Sequence, residues 1–181
     1  MSKLDDVDDP GFRAALEEAT QASNPFELGA ITGRVERIAA QYGRHVICLR
    51  CSSRTLPPTD PASPKLNCHA YSLNLHTTAQ FQSALDPPLS EFLEDLIRQQ
   101  VLLARPIGAA EDGDFVVYRS SGRIKHSGRL SMFVHSKWGE GSLFEHTPLA
   151  VPASYGSELH VFQRPVTEQV AFFYANRLPA A

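Results

Sequence analysis

The chain has no apolar run approaching the ~18 residues that a spanning helix needs, so no membrane partner is expected. It also lacks the opening of a secreted protein. Asp5, Asp6, Asp8 and Asp9 stand where a signal peptide would carry positive charge followed by an apolar stretch. Sec-type export is therefore not expected; a cytoplasmic location, or exit by a non-Sec route, is. Positive charge is short as well: 17 Lys and Arg against 20 Asp and Glu leave a net charge of −3. That balance gives no general attraction to a phosphate backbone, so no nucleic-acid partner is expected. The local basic residues Arg119, Arg123, Lys125 and Arg129 alternate along a predicted strand, the pattern of a solvated sheet face. Three cysteines cannot make a disulfide framework, and the odd count leaves a free thiol, which fits a reducing compartment. No internal repeat is present.

What is there suits one folded domain. With 181 residues, 43% hydrophobic, the chain can bury one sizeable core and is short for two. Residues 1–9 are acidic and polar and are expected as a disordered tail, with 10–181 as a single domain. Phe12, Ala15, Leu16 and Ala19 mark a short helix from Pro10 to about Ser23-Asn24. A second helix has Asn24 as its cap, Pro25 at its first position, and Leu28, Ile31, Val35 and Ile38 on one face, ending at Gly43. His45 to Leu49 reads as a strand. Residues 52–66 hold four prolines among serines and threonines and read as a long surface loop with a functional or disordered role. After Asp86-Pro87-Pro88, the residues Leu89, Phe92, Leu93, Leu96, Ile97 and Val101 outline an amphipathic helix to about Leu103. Strands follow at 115–119, 123–130, 132–137 and 158–163, with turns at Ser121-Gly122 and Gly139-Glu140-Gly141. The tail from Pro165 admits a helix or a strand. Helices first and an antiparallel meander after them make the α+β class.

The stretch with chemistry in it is Asn67-Cys68-His69-Ala70-Tyr71-Ser72-Leu73. A thiol attacks only as thiolate, and its free pKa near 8.5 leaves about a few per cent ionised at neutral pH. Two devices help: a helix N-terminus, which Asn67 as cap would supply, and an imidazole that accepts the proton. His69 adjoins Cys68, and helix geometry sends successive side chains about 100° apart, so the imidazole is expected from elsewhere. Cys48-Leu49-Arg50-Cys51, with Cys68 and His69 or His76, can be drawn as a zinc site. On a regular strand, however, Cys48 and Cys51 point to opposite faces, so the reading carries no metal and no cofactor. A redox Cys-x-x-Cys would need a helix start after the strand, and no helical pattern follows.

In this context the chain resembles the NlpC-type papain-like cysteine peptidases and amidases. The resemblance rests on Cys68 opening a helix, the helix 89–103, Gly113-Asp114-Phe115-Val116-Val117-Tyr118, and His126-Ser127-Gly128, in that order, over roughly residues 66–164. It implies a papain-like (NlpC-like) fold with a catalytic core at 66–164 and an N-terminal helical extension and loop at 10–65. It further implies Cys68 as nucleophile, His126 as general base and an orienting polar residue near His135, with His146 in reserve. Tyr71 and Trp138 are expected to line the cleft. The implied activity is acyl-enzyme hydrolysis of an amide bond in a peptide, either a cell-wall peptide or the substrate of an effector-type amidase, with a protein inhibitor as partner if the chain is a toxin. An acyltransferase or deamidase on the same dyad is the enzymatic alternative; a non-catalytic binding module or a small zinc-binding domain is the other. Each residue also has a plain structural reading: Cys68 a small buried hydrophobe, His126 a satisfied strand histidine, His135 a surface position, Trp138 core.

Overall fold

A computed structural model describes residues 6–21, 28–79, 81, 89–139 and 141–177. Among them are five helices and a seven-stranded antiparallel sheet, an α+β architecture. Residues 1–5, Asn24-Pro25, Asp86-Pro87-Pro88 and Glu140, which figure in the expectations above, lie outside the described residues.

The first layer is α1 (Pro10–Thr20) and α2 (Leu28–Gln41). Asp9 caps α1, its side chain accepting from the Phe12 amide at 3.0 Å, and Pro10 starts the helix. The acidic residues expected in a disordered tail are tied down from Asp6 onward. Asp6 pairs with Arg44 at 3.0 Å and accepts from the Leu149 amide at 2.9 Å, while Asp8 meets the buried Arg13 at 3.2 Å. Charge alone suggested a solvated tail; partners distant in sequence decide otherwise.

The sheet runs β1 (Val46–Arg50), β6 (Leu143–His146), β5 (Val134–Lys137), β4 (Arg123–Leu130), β3 (Phe115–Ser120), β7 (Glu158–Phe162) and β2 (Ala104–Arg105). The meander holds for β3 to β6. Two strands went unread, Leu143–His146 and Ala104–Arg105, each too short to show a period.

Helices cover both faces. Phe115, Val117, Ile124, Leu143 and Phe162 pack under α3 (Cys68–Ser72), α4 (Leu89–Arg98) and α5 (Thr167–Ala175). Val116, Tyr118, Leu130, Val134 and Phe144 pack under α1 and α2. This double cover explains why β3 is buried at four successive positions, Phe115 to Tyr118, rather than at alternate ones. It also corrects two expectations. Arg119 and Arg129 are not on a solvated face: Arg119 bonds Glu94 of α4 at 2.9 Å, and Arg129 lies over the Tyr71 ring at 4.4 Å. Residues 10–65 are not an appendage, since α1 and α2 form one layer of the core and β1 is a strand of the sheet.

The proline-rich loop is built in as well: Ala62, Ser63 and Leu66 are buried, and Arg50 grips Asp60 at 2.8 Å. α4 stops at Arg98, short of Leu103, because Gln100 takes a left-handed conformation (φ 57°) and the Val101 amide turns back to Leu96. The tail resolves as helix, α5, whose Val170 and Tyr174 recur four residues apart in the core.

Candidate active site

Cys68 is the first residue of α3, and Asn67 caps that helix, its side chain accepting from the Ala70 amide at 2.9 Å. The cap fixes where the thiol leaves the chain. Opposite it runs β4. There Leu130 donates to Asp114 of the loop before β3, and antiparallel alternation then turns the Ser127 amide away from β3, toward β5. β5 pairs with β4 only at Arg129–His135 and Leu130–Val134, so the Ser127 amide is not taken up by the ladder to β5. Cys68 is half-buried as a residue with its thiol turned inward, where the sulfur receives the amides of Ser127, His69 and Cys68 itself, near the Lys137 ammonium. Burial outweighs these four attractions and pushes the thiol up to about 11. Lys137 is itself buried and donates to the Gly141 carbonyl at 2.5 Å.

Gly128 lets β5 approach β4 closely next to Ser127. A Cβ there would stand 2.5 Å from Val134 Cγ1 and 3.0 Å from the His135 carbonyl oxygen.

The sheet separates two imidazoles. Ser127 lies opposite Val117 and faces α3, where its hydroxyl bonds His69 Nδ1 at 2.8 Å; His69 Nε2 bonds the Ser90 hydroxyl of α4 at 3.1 Å. His69 Nδ1 is also 3.7 Å from the Cys68 sulfur. The expectation that His69 points away from the thiol is therefore wrong. The angle of about 100° between successive side chains describes the Cα–Cβ directions, and a ring nitrogen two bonds further out can swing back. Burial holds the His69 imidazole down at about 4.

His126 lies opposite Tyr118 and faces the α1–α2 side. It is fully buried, and neither ring nitrogen has a hydrogen-bond partner. The hydrogen bond expected between Cys68 and His126 is thus not made in this structure. His126 stacks on Tyr155 at 3.9 Å between ring centroids, with the planes 16° apart. Burial first, then the nearby imidazoles of His146 and His69, hold His126 well below the usual histidine range. Tyr155 packs on the α1–α2 side, and its phenol is pushed up by burial and then by the Cys68 sulfur. It ends a one-turn 3-10 helix, Ala153–Tyr155, which Gly156 closes at φ 89°; a Cβ there would stand 2.1 Å from the Arg119 carbonyl oxygen.

The remaining expected residues fall elsewhere. His135 is partly exposed and bonds Glu145 at 2.9 Å, with His45 on the other carboxylate oxygen at 2.8 Å, so it does not orient His126. His146 is buried beside His126. The Trp138 indole donates to the Ser136 hydroxyl at 3.0 Å, which in turn donates to His146 Nε2 at 2.7 Å. The His146 Nδ1–H donates to the Thr147 carbonyl at 2.8 Å, and burial holds this imidazole down at about 4, hence neutral. Tyr71 and Trp138 are core residues, 7% and 4% exposed, rather than cleft walls. A groove of about 490 Å³ between α1 and α2 and a smaller one of about 300 Å³ beside α5 are lined by neither Cys68 nor His126. Among the described residues no three His, Cys, Asp or Glu side chains gather to hold a metal, so the drawn zinc site is not assembled.

Ser127, Tyr155 and Lys137 were missed as parts of the site. Ser127 and Lys137 sit within motifs already noted, His126-Ser127-Gly128 and Ser136-Lys137-Trp138-Gly139. Tyr155 carries no sequence signal. Comparison with family models, with curated proteins and with solved structures gave no match to this chain.

Proposed function

We propose that the protein is a cysteine hydrolase of amide bonds with a papain-like (NlpC-like) arrangement, Cys68 as nucleophile and His126 as base. The observation that carries this reading is a buried imidazole, His126, whose two nitrogens are unpartnered, next in sequence to Ser127, which faces the capped helix start that carries the Cys68 thiol. Native interiors seldom leave a buried polar side chain unsatisfied, and such groups concentrate at functional sites. His69, by contrast, already has both nitrogens engaged by Ser127 and Ser90.

In the resting enzyme both partners are neutral, thiol and imidazole, rather than a preformed ion pair. Substrate binding at the start of α3 brings the carbonyl carbon to the Cys68 sulfur. Once substrate binding brings thiol and imidazole within hydrogen-bond reach, the thiol proton passes to His126 as the C–S bond forms. The amides of Cys68 and Ser127 are the donors for the oxyanion. Collapse breaks the C–N bond, and the His126 proton goes to the leaving amine. Water, deprotonated by His126, then hydrolyses the thioester and restores the thiol. Among the described residues none bonds His126 to orient it: His146, its buried neighbour, is engaged by Ser136 and Thr147, and His135, which the resemblance suggested for that role, by Glu145. The substrate is a peptide or another amide, and transfer to a second amine would use the same steps.

p-Nitrophenyl acetate tests the dyad without knowledge of the substrate. We expect a burst of nitrophenol with one acetyl group mapped to Cys68, lost in Cys68→Ala and slowed in His126→Phe. Equal acetylation of Cys48, Cys51 and Cys68, unaffected by His126→Phe, would sink the proposal. It would favour instead a non-catalytic binding module, a reading to which the raised thiol and the unmade Cys68–His126 bond lend support.

A further inference from the structure

The second feature with chemistry in it lies on β1, an edge strand remote in sequence from the site above. Cys48 and Cys51 are both free, and their sulfurs are 3.4 Å apart, in contact as a thiol pair. A regular strand would hold them on opposite faces. The register shows why this one does not: Cys48 pairs with Phe144 and Arg50 with Leu143, so Leu49 is the extra residue of a β-bulge. One inserted residue shifts the side-chain alternation by one, and Cys51 returns to the side of Cys48.

Exposure and anchoring differ across the pair. Cys51 is exposed and Cys48 half-buried. Cys48 also feels the Ser142 hydroxyl, which bonds Thr32 at 2.9 Å and receives the Ser52 amide at 3.0 Å. Cys48 is thus held by the core, while Cys51 sits at the end of the strand, where the chain enters the loop 52–67 that leads to Cys68. Bringing the sulfurs from contact to the bonded distance of about 2.05 Å needs a movement of little more than an ångström, at a strand end.

We propose that Cys48 and Cys51 are a reversible disulfide site, closed by exchange with a small-molecule disulfide of the glutathione type. The exposed Cys51 loses its proton to solvent and its thiolate attacks one sulfur of the small disulfide, whose S–S bond breaks to release one small thiol. The Cys48 thiol, deprotonated in turn, attacks the Cys51 sulfur of the mixed disulfide and releases the second small thiol. Two protein thiols are oxidised, one small disulfide is reduced, and the protein loses two hydrogens. Burial and the neighbouring Cys51 push the Cys48 thiol up to about 11, which makes Cys48 the resolving and not the first-attacking sulfur. The ring closed is short and exposed, so the bond stabilises the fold little and is readily reduced. With no third ligand gathered at the pair among the described residues, a disulfide fits these thiols better than a tetrahedral metal.

The test uses the full chain carrying Cys68→Ser, so that only this pair is titrated, and oxidised glutathione as the probe. Thiols are then trapped with N-ethylmaleimide and read by intact mass and peptide mapping. The expected product has lost two hydrogens, carries no glutathione and no maleimide on Cys48 or Cys51, and regains both thiols with dithiothreitol. Maleimide labelling of the pair should fall about tenfold or more on oxidation. A second variant, Cys48→Ser added to the first, should stop at glutathione bound to Cys51. If the parent also stops at a glutathione adduct, stays reduced at the same ratio of oxidised to reduced glutathione, or joins two chains through Cys51, the proposal is overturned. The assay reads neither acyl transfer nor His126, so its outcome is independent of the proposed function.

Discussion

The two sides of β4 carry two buried imidazoles in opposite states of satisfaction. On the α3 side, His69 shares both nitrogens with serine hydroxyls and touches the Cys68 sulfur. On the α1–α2 side, His126 has no hydrogen bond and rests on Tyr155. Under the proposed function the satisfied ring is structural and the unsatisfied one is the base, since a group that pairs only in the transition state is left unpaired in the resting state.

The largest effect should come from breaking the reactive side. Cys68→Ala should abolish acetyl transfer from p-nitrophenyl acetate, and His126→Phe should lower its rate about a hundred- to ten-thousandfold, the usual range for a general base. The same His126→Phe should leave thermal stability unchanged or raised, because a phenyl ring keeps the stack on Tyr155 and removes two unsatisfied nitrogens. A clear drop in melting temperature would show that His126 is structural after all.

Acid should act on both sides together. Folded-state values at about 4 for His69 and His146, and a lowered value for His126, lie below the ordinary 6.5, so the unfolded chain binds more protons between those limits. Stability is therefore full above pH 6.5 and lost as pH falls toward 4, each imidazole withdrawing about 1.4 kcal/mol per pH unit. Denaturant midpoints between pH 7.5 and 4.5 should decline steeply, and less steeply in His126→Phe; a flat profile would contradict the burial of these rings.

The satisfied side should answer mainly in stability. His69→Phe strands the Ser127 and Ser90 hydroxyls and should cost about 1–3 kcal/mol, with a smaller effect on acetyl transfer than His126→Phe. The reverse ranking would make His69 the base. The smallest effect is expected from Asn67→Ala, which removes the α3 cap at about 1 kcal/mol and slows Cys68 alkylation by iodoacetamide as the sulfur loses its fixed position. An unchanged alkylation rate would separate the cap from the chemistry.

The amino-acid sequence alone determined the local features. Asn67 as cap, Cys68 at a helix start, the amphipathic run from Leu89, the Ser121-Gly122 turn and the strand at Arg123–Leu130 were all legible, because caps, turns and periods of two or 3.6 are written in neighbouring residues. The α+β class followed from their order. Tertiary structure decided what faces what. It put helices on both sides of the sheet, so that α1 and α2 became a layer instead of an extension. It brought His69 back to the sulfur it was expected to avoid, and Cys51 back to Cys48 through a one-residue bulge. It also stacked Tyr155, with no motif around it, on His126. Each of these depends on contacts between residues far apart in the chain, or on a phase shift set by the partner strand, and a local pattern does not encode either.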